Sequence, residues 1–408
     1  MKRPVIIVDP LSSGVELAPA FKKRGIPAIA VTFKPLDRIG FGTQIKTSDF
    51  IKIIPQQPNL ENILRQYNPL AVIPGSESGV PLASKLAAAL TPEHSNDINK
   101  SQSWYHKARM QEELVKAGIP SLKTLVSSST EEVETWISTN RLTDTPLIVK
   151  PPVSAGSDKV FHIPRNGDWD EAFNCILNEP SKITGQKSES VIIQEQAIGT
   201  EYAVGTVSAN GKHSITHLIK YNKTSITNRE TVFDHVEFIP FDPTEHSDIF
   251  DYTQKVLDAL GIRWGASHTE LMLTNSGPRL IETGARMLGG PTVGFSREAT
   301  GSSQADKLVE AFVDGEIQAK VFPFKKTVVP VFLKAIKDGV LTNVEVFDEI
   351  KSLPTLLNQY VWLKNGDTVK QTVDYLTSAG IVALSGDREQ IFEDYKKIRT
   401  MESRLIIS

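Results

Sequence analysis

The apolar positions of the first hundred residues fall into short continuous runs separated by helical patterns. Val5–Val8, Pro27–Val31 and Leu70–Ile73 are runs of the length expected for strands buried on both faces. Gly14–Arg24, closed by Gly25, then Asn59–Tyr67 and the Ala/Leu-rich Val80–Leu90 read as helices. Alternation of strand and helix predicts a small doubly wound sheet. The pattern then changes. Asn99–Ala117 predicts a helix stopped by Gly118-Ile119-Pro120, Leu122–Val126 a strand, and Ser129-Thr130-Glu131-Glu132 a capping box opening a further helix. Pro146–Lys150 and Val191–Glu195 read as strands, and Glu201–Lys220 alternates about the hairpin signal Asn210-Gly211. Thr244–Leu260 carries Ile249, Tyr252, Val256, Leu257 and Leu260 at helical spacing. Trp264–Glu282 predicts a hairpin turning at Asn275-Ser276-Gly277. Val328–Leu333 predicts a strand whose Pro330 suggests a sheet edge, and Arg388–Ile398 a last helix. The fold class is therefore α/β at the front and α+β with antiparallel hairpins behind it.

Composition narrows the function classes. A chain of 408 residues predicts two or three domains at about 150 residues each. With 40% hydrophobic and 23% charged residues, wholesale disorder is excluded. Lysine plus arginine total 45 against 48 acids, so no polyanion footprint shows and a protein built on nucleic-acid binding is disfavoured. The lone Cys175 excludes an internal disulfide framework and a cysteine-rich zinc site, which fits a reducing cytoplasm. The basic-then-apolar start at Met1–Val8 is too short for a secretory core, and no apolar run approaches a membrane span.

Several familiar motifs fail. There is no phosphate-binding P-loop and no H-E-x-x-H, and Gly40-x-Gly42 lacks the third glycine of a dinucleotide fingerprint. Gly75-Ser-Glu-Ser-Gly79 has Glu77 where a nucleophile elbow needs serine.

The predicted hairpin is more informative. If its turn is centred on Ser276, Glu270 sits directly opposite Glu282, with His268, Gly284 and Arg286 on the same face and Leu271, Leu273 and Ile281 on the other. Like charges directly opposed are destabilising. A Mg²⁺ ion shared with substrate phosphates would compensate them, and Arg286 adds a fixed cation. The competing reading is a solvated face on which the glutamates splay apart, and a single bulge would break the register. Lys150 ends an apolar strand and precedes Ser154-Ala155-Gly156-Ser157, small residues that let backbone approach a phosphate; a snorkelling surface lysine is the alternative. Glu195 and Glu201 flank a short connection, Lys107 lies early in a helix, and Trp104, Met110 and Cys175 read as packing residues.

Together, in this order, the segments resemble the ATP-grasp superfamily from about residue 4 to about residue 315. Lys107-x-x-Met110…Ala117-Gly118-Ile119-Pro120 resembles one block, with Gln111 where arginine is usual. Ile148-Val149-Lys150-Pro151…Gly156-Ser157, Gln194–Tyr202, and His268-Thr269-Glu270…Ile281-Glu282…Arg286-x-x-Gly289-Gly290 resemble three more. The resemblance implies that Lys107, Lys150, Gly156 and Ser157 meet ATP phosphates. It implies that Glu195, Gln196 and Ile198 meet adenine, that Glu201 takes the ribose, and that Glu270 and Glu282 bind Mg²⁺ or Mn²⁺. Arg286 would stabilise the transferring phosphoryl group, and His235 is similar to a histidine near the phosphate in amino-acid ligases. One departure stands out: Gly284 occupies the place of a metal-binding asparagine. A carboxylate oxygen, a backbone carbonyl or water could fill it.

The resemblance is nearest to the L-amino-acid ligase branch. It implies a Rossmann-like domain over 1–98, a central lid domain over 99–190 and an antiparallel ATP-grasp domain over 191–408 with a closing lobe from about 320. The implied activity is ATP-dependent joining of a carboxylate to an amine through an acyl phosphate, in the cytoplasm. Expected partners are small acid and amine substrates, amino acids foremost, with a homodimer left open and neither nucleic acid nor membrane. A bicarbonate-using carboxylase or carbamoyl-phosphate-type enzyme, and an ATP-binding regulator without catalysis, are the rivals.

Overall fold

Four short segments form the parallel sheet at the front of the chain, seen in a computed structural model: β1 (Val5–Val8), β2 (Ala28–Thr32), β3 (Lys52–Pro55) and β4 (Ala71–Pro74), in the order β3-β2-β1-β4. Residues 2–33, 45–154, 156–181, 185–225, 231–375 and 377–408 are described; Gly40, Gly42 and Ala155 lie outside them. Every residue of β1 and β2 is buried, as continuous apolar runs demand. Val5 and Ile7 pack with Leu17 and Phe21 on one face, and Ile6 and Val8 with Leu64 and Leu86 on the other. The strand β3 escapes the sequence pattern because only Ile54 of its four residues is buried.

The described residues divide into two compact units. The first comprises Met1–Pro120, Tyr202–Leu218 and Ile239–Lys325; the second Ser121–Glu201, Ile219–Phe238 and Lys326–Ser408.

Behind the parallel sheet, the first unit carries the strands Gly265–Thr274 and Gly277–Gly284, the former flanked by Gly199–Ala209. Helices Lys107–Lys116 and Pro243–Ala259 cover this hairpin through Met110, Leu114, Ile249 and Val256, packed with Leu271 and Leu280. The expected single helix over 99–117 is interrupted. A 3₁₀ segment runs Ile98–Trp104, and the α-helix begins at Lys107 with the His106 ring accepting from the Arg109 N–H. The expected turn at Asn210-Gly211 is present, with φ of 50° and 77°.

In the second unit, Thr124–Ser127, Val191–Glu195, Leu147–Lys150 and Phe161–Ile163 form an antiparallel sheet in that order. Helices Thr130–Thr139 and Asp170–Asn178 pack on it through Val133, Phe173 and Ile176. Val328–Leu333 is not an edge, contrary to the expectation from Pro330. It lies between Thr231–Ile239 and Gly380–Ser385, with Leu356–Val361 beyond. Its register with Thr231–Ile239 is confined to His235↔Val331 and Phe238↔Val328, on either side of the proline that lacks an N–H.

Candidate functional site

Glu270 and Glu282 are opposed on the hairpin as the sequence predicts, by a different route. The turn is two residues, Asn275-Ser276, so pairing begins at Thr274↔Gly277 and continues to Leu271↔Leu280. A bulge then shifts the register by one, and Glu270↔Glu282, Thr269↔Thr283 and His268↔Gly284 follow. The bulge, which threatened the pairing in principle, creates it here. It also exchanges one core residue: Leu280 is buried beside Leu271, and Ile281 is only partly buried.

The acidic pair is unequally compensated. Lys107, the first residue of its helix, places Nζ 2.9 Å from Glu282 Oε2, with only 8% of its side chain exposed. Glu270 Oε1 lies 3.0 Å from His268 Nε2 on its own strand. Arg286 donates to Glu77, at the turn after β4. Burial works against the guanidinium charge, but Glu77 foremost, then Glu282 and Glu270, outweigh it and hold the Arg286 pKa above its ordinary value. A Cβ at Gly284 would lie 3.3 Å from Glu77 Oε2. A side chain at 284 would therefore crowd the Glu77 carboxylate.

The loops after β1 and β4 meet closely. A Cβ at Gly14 would lie 2.2 Å from the Gly75 carbonyl oxygen, so only glycine allows this approach. Ser76 and Ser78 both donate to Asp9 Oδ2, and the Gly290 N–H donates to Ser12 Oγ at 2.7 Å.

The second unit gathers a different set. Lys150 is 3% exposed, not a surface lysine, and donates to Gln194 Oε1 at 2.9 Å; Gln194 in turn donates to Thr124 Oγ1. Glu201 lies 2.8 Å from Lys223, which sequence reasoning did not single out. His162, 3.1 Å from Gln196 Nε2, has its pKa pushed down to about 4 by burial and by Lys223 and Lys150. The Glu195 and Gln196 N–H groups are spent on the Lys123 and Pro146 carbonyls. Ile198 is 64% exposed, and its N–H takes no partner among the described residues. Gly156 and Ser157 follow one another at φ of 62° and 63°, and the Gly156 carbonyl accepts from the Tyr375 N–H.

His235 is held on its own strand, Nδ1 2.8 Å from Asp234 and Nε2 3.7 Å from Glu237, with its ring against Phe392 and Tyr395. Burial alone would lower its pKa, but the two carboxylates outweigh it and raise it. Asp234 also binds Lys334, Tyr395 and Arg399.

Residues 143–294 match the family model of the ATP-grasp domain. The chain carries an ATP-grasp domain. Dapdiamide A synthase of Enterobacter agglomerans is 28% identical over 98% of this chain and 96% of that one. The L-amino acid ligase from Bacillus licheniformis superposes with a TM-score of 0.70 at 16% identity, covering 100% of this chain and 98% of that one. An N5-carboxyaminoimidazole synthetase from Staphylococcus aureus, solved with ADP, gives a TM-score of 0.71 at 16% identity, covering 98% and 97%. These two structures share the ATP-grasp fold.

The ATP-grasp resemblance thus rests on residues that gather in two sets. Lys107, Glu270, Glu282 and Arg286 stand in the first unit, and Lys150, Gly156, Ser157, Glu195, Gln196, Ile198, Glu201 and His235 in the second. Glu77 was visible only as a motif failure, because its partner Arg286 lies 209 residues away. Among the described residues no group of three or more His, Cys, Asp or Glu side chains is placed to hold an ion. Two opposed carboxylates nonetheless suit Mg²⁺, which takes one or two protein carboxylates and completes its shell with phosphate and water. Among the described residues no helix is long and apolar enough to cross a membrane.

Proposed function

We propose that the protein is an ATP- and Mg²⁺-dependent carboxylate–amine ligase that forms an amide through an acyl phosphate. The observation that carries this reading is the opposed Glu270–Glu282 pair with Lys107 and Arg286 around it. In the reaction, a carboxylate oxygen attacks the γ-phosphorus of ATP, the bond to the β–γ bridging oxygen breaks, and ADP leaves. The amine nitrogen then attacks the acyl carbon, the C–O bond to phosphate breaks, and the nitrogen loses a proton. Mg²⁺ supplies charge neutralisation between phosphates and carboxylates when bound. Lys150 and Lys223 offer cations to the phosphates, Glu201 takes the ribose, and the free Ile198 N–H is the adenine donor. Lys107 neutralises Glu282 and is available to phosphate oxygens. Arg286, oriented by Glu77, stabilises the charge that develops on the transferring group. His235, its pKa raised by Asp234 and Glu237, offers a further cation for the acyl phosphate. Gly156 and Ser157, small residues in the left-handed region, let backbone approach a phosphate.

Support also comes from the full-length similarity to dapdiamide A synthase. The test is incubation with ATP, Mg²⁺ and pairs of L-amino acids, measuring phosphate and peptide together. Glu282→Gln should abolish turnover with the fold intact. Release of ADP that needs bicarbonate and no amino acid would favour a bicarbonate-using carboxylase instead. ATP binding without turnover for any pair would leave a regulator.

A further inference from the structure

The sheet order places β1 beside β4 at the point where the strand order reverses. In open parallel sheets, ligands bind in the crevice at the carboxyl ends of the strands there. The two strand ends lead into Asp9 and into Gly75–Gly79. Asp9 is 5% exposed and sits at φ 55°, in the left-handed region. Both serine hydroxyls that reach it, from Ser76 and Ser78, donate to the same oxygen, Oδ2. Oδ1 receives no hydrogen bond from the described residues, yet it is not sealed from solvent as the orphaned buried atoms of this chain are. No lysine, arginine or histidine among the described residues pairs with Asp9, whereas its neighbour Glu77 is neutralised by Arg286.

A carboxylate this buried with hydroxyl donors alone is poorly compensated. What it lacks is a cation with N–H donors. We infer that Asp9 Oδ1 receives the ammonium group of the amine substrate, an assignment that rests on the ligase reading above. The charges of this unit then sort the two substrates. The reacting carboxylate of the acid is drawn to Arg286 and repelled by Asp9. The amine arrives at neutral pH as an ammonium and is drawn to Asp9, gives up one proton to free the nitrogen lone pair before it attacks, and loses a second as the amide forms. Ser76 and Ser78 fix the carboxylate plane, and the Ser12–Gly290 hydrogen bond ties the loop after β1 to the segment that follows Arg286.

Asp9→Asn is the sharp variant, because asparagine tolerates the left-handed backbone and keeps the serine acceptors. In the ligation assay it should raise KM for the amine by about tenfold or more, the effect of one charge-assisted hydrogen bond, with KM for ATP and for the acid unchanged. A rise in KM for the acid instead, or none for the amine, overturns the inference while leaving the ligase reading intact. If no acid–amine pair turns over in the unaltered protein, the ligase reading fails and binding decides for Asp9. Glycinamide, cationic at pH 7, should show saturation-transfer NMR contact with the unaltered protein and not with Asp9→Asn. Glycolamide, its uncharged counterpart, should bind neither. Equal glycinamide signals from both proteins, or none from either, overturn the assignment. The Ser76→Ala, Ser78→Ala double variant, judged by the same two readouts, separates a folding defect from lost recognition: it should weaken amine binding less than Asp9→Asn.

Discussion

The acidic pair on the hairpin should respond unequally to neutralisation. Lys107 and Glu282 stand 2.9 Å apart, with 8% and 27% of their side chains exposed. At an effective dielectric of about 20, that separation corresponds to a gross attraction of about 6 kcal/mol. Two carboxylates on directly opposed residues, about 5 Å apart, repel by about 3 kcal/mol on the same scale. Glu282→Gln removes both, and after allowance for the exposed part of Glu282 it should cost about 1–3 kcal/mol. Glu270→Gln gains the same relief and loses the contact to His268, about 1 kcal/mol, together with a share of the attraction to Arg286, which Glu282→Gln loses as well. It should therefore cost less than Glu282→Gln. The assay is urea unfolding followed by tryptophan fluorescence, with Trp104 and Trp264 as buried reporters in the same unit, without nucleotide or divalent cation. Both variants should lose ATP turnover. Equal costs, or a larger cost for Glu270→Gln, would refute the unequal compensation.

Four further outcomes are expected. His162 has a folded pKa of about 4 against an ordinary 6.5, so the unfolded chain binds more protons between those values and stability should fall as pH drops through them; NMR titration of the ring with a midpoint near 6.5 would contradict this. Asp234→Asn strips the partner from Lys334, Arg399 and His235 and should cost about 3–5 kcal/mol in urea unfolding, while lowering the His235 titration midpoint. Gly205→Ala would place a Cβ 2.1 Å from the His217 ring and should destabilise by about 1–3 kcal/mol, seen as a lower thermal midpoint. Gly289→Leu should narrow the substrate range in the ligation assay, and with less strain than a change at Gly290, because its Cβ meets only Ser12 Oγ at 3.6 Å whereas Gly290 has φ 70°.

Where the sequence could be read, local periodicity carried the information. Three of the four strands of the front sheet follow from continuous apolar runs, the Asn210-Gly211 turn from its residue types, and the opposed glutamates from a spacing of two. The opposed pair was reached through a turn placed one position away, because a bulge has no signature in a single chain and restored the register. Lys150 is legible as a strand end, but its burial depends on Gln194, 44 residues later. Glu77 and Lys223 were not legible, since each acquires its role from a side chain far along the chain. Pro330 was misread because proline excludes one hydrogen bond, not a neighbouring strand. The break at Tyr105 and His106 was hidden by apolar residues that keep helical spacing across it.

The division of the chain has a consequence for how the molecule can be made. The polypeptide leaves one compact unit for the other after Pro120, Glu201, Leu218, Phe238 and Lys325. During synthesis, neither unit is complete when residue 238 emerges, and the second still lacks Lys326–Ser408 when the first has been finished. Each fragment from a cut at any of these points carries an unfinished portion of one unit or both. Limited proteolysis or truncation should therefore not yield a stable nucleotide-binding half. Engineered variants are better carried by the full chain, with insertions confined to exposed turns such as Asn275-Ser276.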